Sequence, residues 1–169
     1  MSKKIVGALV AVLAGTGGMA RAEPLLVEHQ IPLAVALEGA QAAIASCLAG
    51  GYRIAVTVVD KAGRVQVTLR ADGANPHLLE GAERKAYTAA MLRIPTVQMG
   101  EVIQRNPGAA ALMSFERMTP LGGGLPIKVG DEVVGGIGVG GVPVGGAGGA
   151  GDEGCARAGL EKIVARLGG

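Results

Sequence analysis

YRIAVTVVDKAGRVQVTLRADG, residues 52–73, carries the clearest strand pattern of this chain. Apolar side chains alternate with other residues in both halves, at Ile54, Val56, Val58, Val65, Val67 and Leu69. Alternation at every second residue is typical of a strand with one buried face. Residues 60–63, DKAG, separate the two halves and end in glycine, which suits a tight turn. The pattern therefore predicts an antiparallel β-hairpin.

Helices are predicted on both sides of this hairpin. Before it, residues 31–51 carry apolar side chains at helical spacing and end in two glycines. After it we predict a helix over residues 77–92 and another over 96–108, the latter capped by Thr96 and stopped by its final Asn-Pro-Gly. Residues 152–168 begin with acids and carry Lys and Arg later, as the dipole of a last helix favours.

A second hairpin is predicted in the glycine-rich part of the chain. Its strands are residues 125–129 and 132–139, turned at Gly130-Asp131, and residues 118–121 are predicted as a short strand before it. The order is then α-β-β-α-α-β-β-β-α, with hairpins instead of βαβ units. This order predicts an α+β fold in which an antiparallel sheet of about five strands is flanked by helices.

Two glycine clusters need separate interpretation. Residues 136–141, GIGVGG, match the dinucleotide pattern G-x-G-x-x-G, but they lie within a predicted strand and run into a glycine-rich loop. A dinucleotide site requires this pattern to open a helix, so we reject that reading. Strand glycines instead let another backbone, a helix or a ligand approach closely. Residues 122–124, GGG, either face a pocket or simply reverse the chain.

The first 22 residues are interpreted as a secretory signal peptide. Lys3 and Lys4 precede a short apolar stretch, and small residues around Ala22 form a cleavage site before Glu23. A segment that crosses a bilayer needs about 20 apolar residues, and this stretch is shorter. A retained N-terminal anchor is the alternative. Residues 23–169 are then expected to be one domain, located in the periplasm or secreted.

Charge and aromatic content argue against a nucleic-acid partner. Without residues 1–22 the chain has thirteen Lys and Arg against fourteen Asp and Glu. Its aromatic residues are only Tyr52, Tyr87 and Phe115. Basic patches and stacking platforms, which nucleic-acid binding needs, are therefore missing. No later segment is apolar over a length that would span a membrane.

Cys47 and Cys155 are the only cysteines. In an exported protein such a pair can oxidise and persist, so we predict a disulfide between them. Two inert reduced thiols are the alternative. No C-x-x-C-H occurs, which excludes covalently attached c-type haem.

Several ordered motifs resemble the GlcG/HbpS family of haem-binding proteins. They are VTVVDKAGRVQVTLRADGA, ERKAYTAA, GGGLPI followed by VVGGIGVGG, and an acidic start to the last helix with ARAG. The likeness spans residues 31–167. It implies a sheet flanked by helices, haem as the cofactor and assembly into a homo-oligomer; some members of the family take part in extracellular redox sensing, and many have no settled function. The loop at residues 142–151 is longer than the simplest family pattern, which leaves its contacts open.

The helix over residues 77–92 carries the candidate site. His77, Gly81, Lys85 and Thr88 recur at helical spacing and share one side. With the family resemblance, a flat haem would rest over Gly81, with the His77 nitrogen towards iron and Lys85 or Arg70 meeting a propionate. The alternative is a solvated His77 near a helix start and a Lys85 that extends along the surface.

Two other functions stay open. Arg70, Asp72, His77, Lys85 and Tyr87 could hold a small organic acid and move a proton, although no set of nucleophile, base and orienting group is visible, so an enzyme is the less favoured reading. An accessory protein that binds a periplasmic partner is the other.

Further possible iron ligands are less distinctive. Met91, Met113 and Met118 are possible second axial ligands, but methionine among Ala and Leu is more often core filling. His29 lies close to the mature N-terminus, where the chain is expected to be mobile.

Overall fold

The computed structural model describes residues 23–143 and 148–168. The expected signal peptide, residues 1–22, lies outside the described residues, and so does the part of the lengthened loop at residues 144–147. The helices are α1 (Leu33–Ala49), α2 (Leu78–Leu92), α3 (Thr96–Arg105) and α4 (Gly148–Leu167), with a 3₁₀ helix at Pro107–Ser114. The strands are β1 (Ala55–Asp60), β2 (Val65–Arg70), β3 (Gly124–Val129) and β4 (Glu132–Gly140).

The four strands form one antiparallel sheet in the order β2-β1-β4-β3. The predicted α+β class and both predicted hairpins are confirmed. The two hairpins meet at β1 and β4, where Thr57 pairs with Gly138. Every residue of β1 is buried, because helices cover both faces of the sheet.

Helices α1 and α4 pack side by side on one face of the sheet. Small residues allow this close approach: a Cβ added to Gly39 of α1 would collide with Ile163 of α4. The same two helices are joined by the Cys47–Cys155 disulfide, across which the Cα atoms lie 5.5 Å apart. The predicted disulfide is therefore present, and it links the C-terminal end of α1 to the first half of α4.

Helix α2 covers the opposite face and lies directly on the glycines of β4. A Cβ on Gly136 would overlap the carbonyl oxygen of Ala86, and one on Gly138 would overlap that of Ala82. Strand glycines can admit another backbone, a helix or a ligand. At Gly136 and Gly138 the partner is helix α2. Ala82, Ala86 and Ala89 of α2 are fully buried, so this side of the helix carries only methyl groups.

Two local predictions were wrong. Residues 118–121 form no strand, because the Thr119 backbone N–H donates to the hydroxyl of Thr88 on α2 at 2.9 Å, which holds the segment against the helix. The sheet accordingly has four strands and not about five. Thr96 is the first helical residue of α3 rather than its cap, and its hydroxyl accepts a hydrogen bond from the Gly124 N–H at the start of β3. None of the helices within residues 23–143 and 148–168 combines the length and the apolar character that a membrane span requires.

Candidate functional site

An open pocket of about 560 Å³ lies beside the N-terminal half of α2. One wall comes from α2 and another from residues 51–53, which follow α1. The rest of the lining comes from residues 73–75 before α2, from Leu121, from the end of β4 and the loop after it at residues 140–143, and from Asp152 in the first half of α4. Its volume falls within the about 300–1,000 Å³ usual for sites that bind small molecules and cofactors.

Three of the predicted site residues line this pocket: His77, Gly81 and Lys85. They are spaced by four residues, which puts them on one side of the helix. His77 is exposed at the helix start, and its side chain makes no capping hydrogen bond. A Cβ on Gly81 would meet no atom within 4 Å, so the space over this glycine is open. The α2 wall thus offers an imidazole next to a position without a side chain.

Lys85 lies at the floor of the pocket and is only 6% exposed. Its ammonium group donates to a carboxylate oxygen of Asp152 at 2.7 Å and to the carbonyl oxygen of Val139 at 2.9 Å. Asp152 is 4% exposed, and its other carboxylate oxygen accepts from the Val142 N–H at 2.9 Å. A buried ion pair therefore joins α2, the end of β4 and α4.

Burial raises the pKa of the Asp152 carboxyl above its usual value. The Lys85 charge and hydrogen bond act in the opposite direction, as do the backbone N–H groups of Val142 and Gly141, but they do not cancel the effect of burial. Lys85 and these two N–H groups are therefore the interactions that favour the ionised form of the buried carboxyl.

Two predicted site residues lie outside this lining. Thr88 is 1% exposed, and its hydroxyl is shared between the Arg84 carbonyl and the Thr119 N–H, both away from the pocket. The guanidinium of Arg70 donates to the carbonyl of Ala74. Arg53, from the segment after α1, is the arginine that lines the pocket.

The other residues considered for an acid–base site are not brought together. Asp72 is exposed and does not line the pocket, whereas Tyr87 lies under the Arg117 guanidinium, 4.1 Å from its ring centre. Gly122 packs on Gly149 and Gly123 on Asp152, both in the first part of α4, whereas Gly124 packs on the Lys85 carbonyl of α2. None of these three glycines lines the pocket. Of the strand glycines, only Gly140 borders the pocket.

The remaining candidate ligands of iron are also elsewhere. His29 is hydrogen-bonded to Glu132 at 2.7 Å, and Lys61 binds the other oxygen of that carboxylate at 2.7 Å. Met91 packs against Val59, Ala86 and Ala90. Neither His29 nor any of the three methionines lines the pocket.

Two charged residues that line the pocket were not predicted as site residues by the sequence analysis. Asp152 was seen only as an acid that favours a helix start, because its partner Lys85 is 67 residues away. Arg53 stands before β1, outside the alternating pattern. The acidic start of the last helix beside ARAG was the one signal that could have marked Asp152.

The fold and the pocket together define a small α+β protein: a four-stranded antiparallel sheet between helices, with a cavity between α2 and the α1–α4 end of the molecule. The model of a family described as "haem degrading protein HbpS-like" matches residues 31–161. The chain belongs to this HbpS-like family.

Similar proteins agree with this assignment. A double mutant of HbpS from Streptomyces reticuli has 35% sequence identity and a TM-score of 0.77, covering 89% of this chain and 96% of HbpS. Protein GlcG from Escherichia coli strain K12 is 29% identical over 87 residues, which are 52% of this chain and 63% of GlcG. PduOC, solved as a complex with heme, shares the fold at 22% identity and a TM-score of 0.69, covering 79% of this chain and 95% of PduOC.

Proposed function

We propose that this is an exported protein that binds haem non-covalently in the pocket beside α2. In this proposal residues 1–22 direct export and are removed, and residues 23–169 are the functional domain. The family description and the heme complex of PduOC support haem as the ligand. The Cys47–Cys155 disulfide is compatible with an oxidising compartment outside the cytoplasm.

The observation that carries the proposal is the open space over Gly81 next to the His77 imidazole. A tetrapyrrole is a large flat ring and needs a wall without protruding side chains. Gly81 provides such a wall, since even a Cβ there would touch nothing within 4 Å. His77 lies one helical turn away, on the same pocket wall.

The residues of this pocket fit haem chemically. Imidazole nitrogen is a usual axial ligand of haem iron, and the His77 ring is exposed at the pocket rim. Arg53 and Lys85 supply cations for the propionates in this arrangement, with Arg53 in the place that Arg70 was expected to fill. Bound haem would supply an iron centre whose behaviour depends on its axial ligand and on the polarity around it.

Titration with haemin, followed by absorbance in the Soret region, tests the proposal. His77→Ala should shift the Soret band and weaken binding more than about tenfold, since loss of an axial ligand costs more than about 1.4 kcal/mol. Gly81→Leu should block the ring while leaving the helix intact, because leucine is a good helix former.

Two matched controls belong to this experiment. His29→Ala removes a histidine that lies away from the pocket. Gly154→Leu places the same side chain on an exposed glycine of α4 that also has open space around it. Both should bind haemin as the wild type does. Unchanged haemin spectra and affinity in His77→Ala and Gly81→Leu would reject α2 as the haem wall.

We also propose that the exported chain forms a homo-oligomer. Three consecutive apolar residues before α1 are almost fully exposed: Leu25 at 94%, Leu26 at 97% and Val27 at 87%. Consecutive exposed apolar side chains favour a protein contact. Light scattering of residues 23–169 should give a mass above that of one chain, and a single-chain mass at micromolar concentration would contradict the proposal.

A further inference from the structure

The Lys85 ammonium has one donor more than the protein uses. A charged lysine carries three N–H groups. Two of them reach Asp152 and Val139, and among the described residues no acceptor is present for the third. The group is buried and lines the pocket, so this third donor can be satisfied from the pocket side.

The charges of the lining favour an anionic partner for this donor. Among the described lining residues, Asp152 is the one carboxylate, and both of its oxygens already accept hydrogen bonds. Arg53 adds a second cation, and no further acidic side chain of this described lining balances it. A ligand oxygen at the floor would therefore meet the third N–H of Lys85 in surroundings that carry a net positive charge.

We propose that the floor of the pocket is a carboxylate-binding subsite, in which Lys85 is the binding cation and Asp152 restrains it. A carboxylate of the ligand accepts the free N–H of Lys85 and competes with Asp152 for the ammonium group. This inference concerns the same pocket as the proposed function, and it identifies the ligand group that the floor takes. The carboxylate belongs either to a haem propionate or to a free small organic acid.

The proposal makes opposite predictions for the two members of the ion pair. With Asp152→Asn the ammonium loses its negative partner and keeps Val139, so two N–H groups and an uncompensated charge face the pocket. Carboxylate binding should then become about threefold tighter or more. Lys85→Met removes the donor and should abolish the subsite. If the pair only stabilised the fold, both changes would weaken binding alike.

Three ligands separate the sources of the carboxylate. Haemin and its dimethyl ester, which has no free propionate, are titrated by absorbance. Sodium acetate is titrated by NMR, with the amide signals of Gly140 and Gly141 as reporters, since both glycines line the pocket. A propionate at the floor makes wild-type haemin bind about tenfold more tightly than its ester. Acetate shifts of the reporter signals identify a free acid as a ligand.

Lys85→Met alone can fail to fold, because it leaves the Asp152 charge buried without a partner. The double variant Lys85→Met/Asp152→Asn removes both charges, and it should fold and lose both the acetate shifts and the preference for haemin over the ester. The matched control is Lys61→Met/Glu132→Gln, which removes an ion pair with the same 2.7 Å separation outside the pocket. It should behave as the wild type does.

The subsite and the haem proposal fail in different ways. If haemin does not bind the wild type, the acetate titration still tests the subsite. If Asp152→Asn tightens neither haemin nor acetate binding, or if the double variant binds both as the wild type does, the subsite is rejected even when haemin binds through His77.

Discussion

Gly138 of β4 lies directly against the backbone of Ala82 in α2, so closely that a Cβ on Gly138 would overlap the Ala82 carbonyl oxygen. Gly81, the residue before Ala82, lines the pocket, and a Cβ there would meet no atom within 4 Å. Neighbouring positions of one helix thus contact the sheet and the pocket. The contact with Gly138 fixes the height of α2 above the sheet and hence the position of the pocket wall.

Gly138→Ala should destabilise the protein by about 1–3 kcal/mol or more, since the added methyl group must displace helix backbone rather than a flexible side chain. Urea unfolding followed by circular dichroism measures this loss as a lower midpoint. Gly81→Ala is the control, because the same methyl group there meets nothing, and alanine is the better helix former by up to about 1 kcal/mol. Equal stability of Gly138→Ala and wild type would contradict the close contact.

The parts of the fold that depend on local pattern were predicted from the sequence. Both hairpins follow from alternating side chains and turn glycines, and the helices follow from apolar spacing. The wrong strand at residues 118–121 has a different origin. The conformation of this segment depends on a hydrogen bond from Thr119 to the hydroxyl of Thr88, 31 residues away, which no local pattern reveals.

The site shows the same division between local and distant information. Helical spacing correctly put His77, Gly81 and Lys85 on one wall. It also included Thr88, but the loop that carries Thr119 covers that position. Asp152 could not be paired with Lys85 from the sequence, because only the folded chain brings α2 and α4 to the same point. Helical spacing in the sequence can therefore predict one wall of the pocket, whereas predicting its floor requires knowledge of long-range contacts.

Asp60, at the end of β1, should contribute stability that depends on pH. Burial, the largest single influence, acts to raise its pKa, but hydrogen bonds from the Arg64 backbone and guanidinium, the Arg64 charge and the Ala62 N–H together hold it below the usual 3.8. Because the folded-state pKa is depressed, the ionised carboxylate stabilises the fold at neutral pH. This contribution is present above pH 3.8 and is lost as the pH falls through the folded-state pKa.

Asp60→Asn should therefore lower the free energy of unfolding at pH 7 by about 1–3 kcal/mol, and the difference from wild type should shrink below about pH 4. Chemical unfolding at several pH values measures both effects. Asp131→Asn, at an exposed turn position, is the control and should change little at any pH. A difference for Asp60→Asn that is constant from pH 7 to pH 3 would show that the carboxylate charge is not responsible.

The N-terminus of the protein isolated from its producing cell should lie at Glu23 or within a residue or two of it. The physical reason is the short apolar stretch followed by small residues around Ala22, which suits cleavage rather than membrane anchoring. Intact mass and N-terminal sequencing of the periplasmic or extracellular fraction measure the cleavage point. A chain that retains Met1 and is recovered with membranes would contradict this prediction.

Loss of the Cys47–Cys155 disulfide should reduce stability by about 2–5 kcal/mol, because the bond closes a loop across a sequence separation of 108. Cys47→Ser and Cys155→Ser should lower the melting temperature to a similar extent, and the double variant should fall no further, since either change removes the whole constraint. Wild type unfolded in the presence of a reductant should match the double variant, whereas the double variant itself should not respond to the reductant. Two thiols titrated in the native protein isolated without reductant would show that the bridge does not form.

The disulfide also joins two parts of the pocket. It links α1, whose end leads into the pocket residues Tyr52 and Arg53, to α4, which carries Asp152. The double variant should consequently bind haemin more weakly even at temperatures where it stays folded, because two walls of the pocket are then held together only by packing.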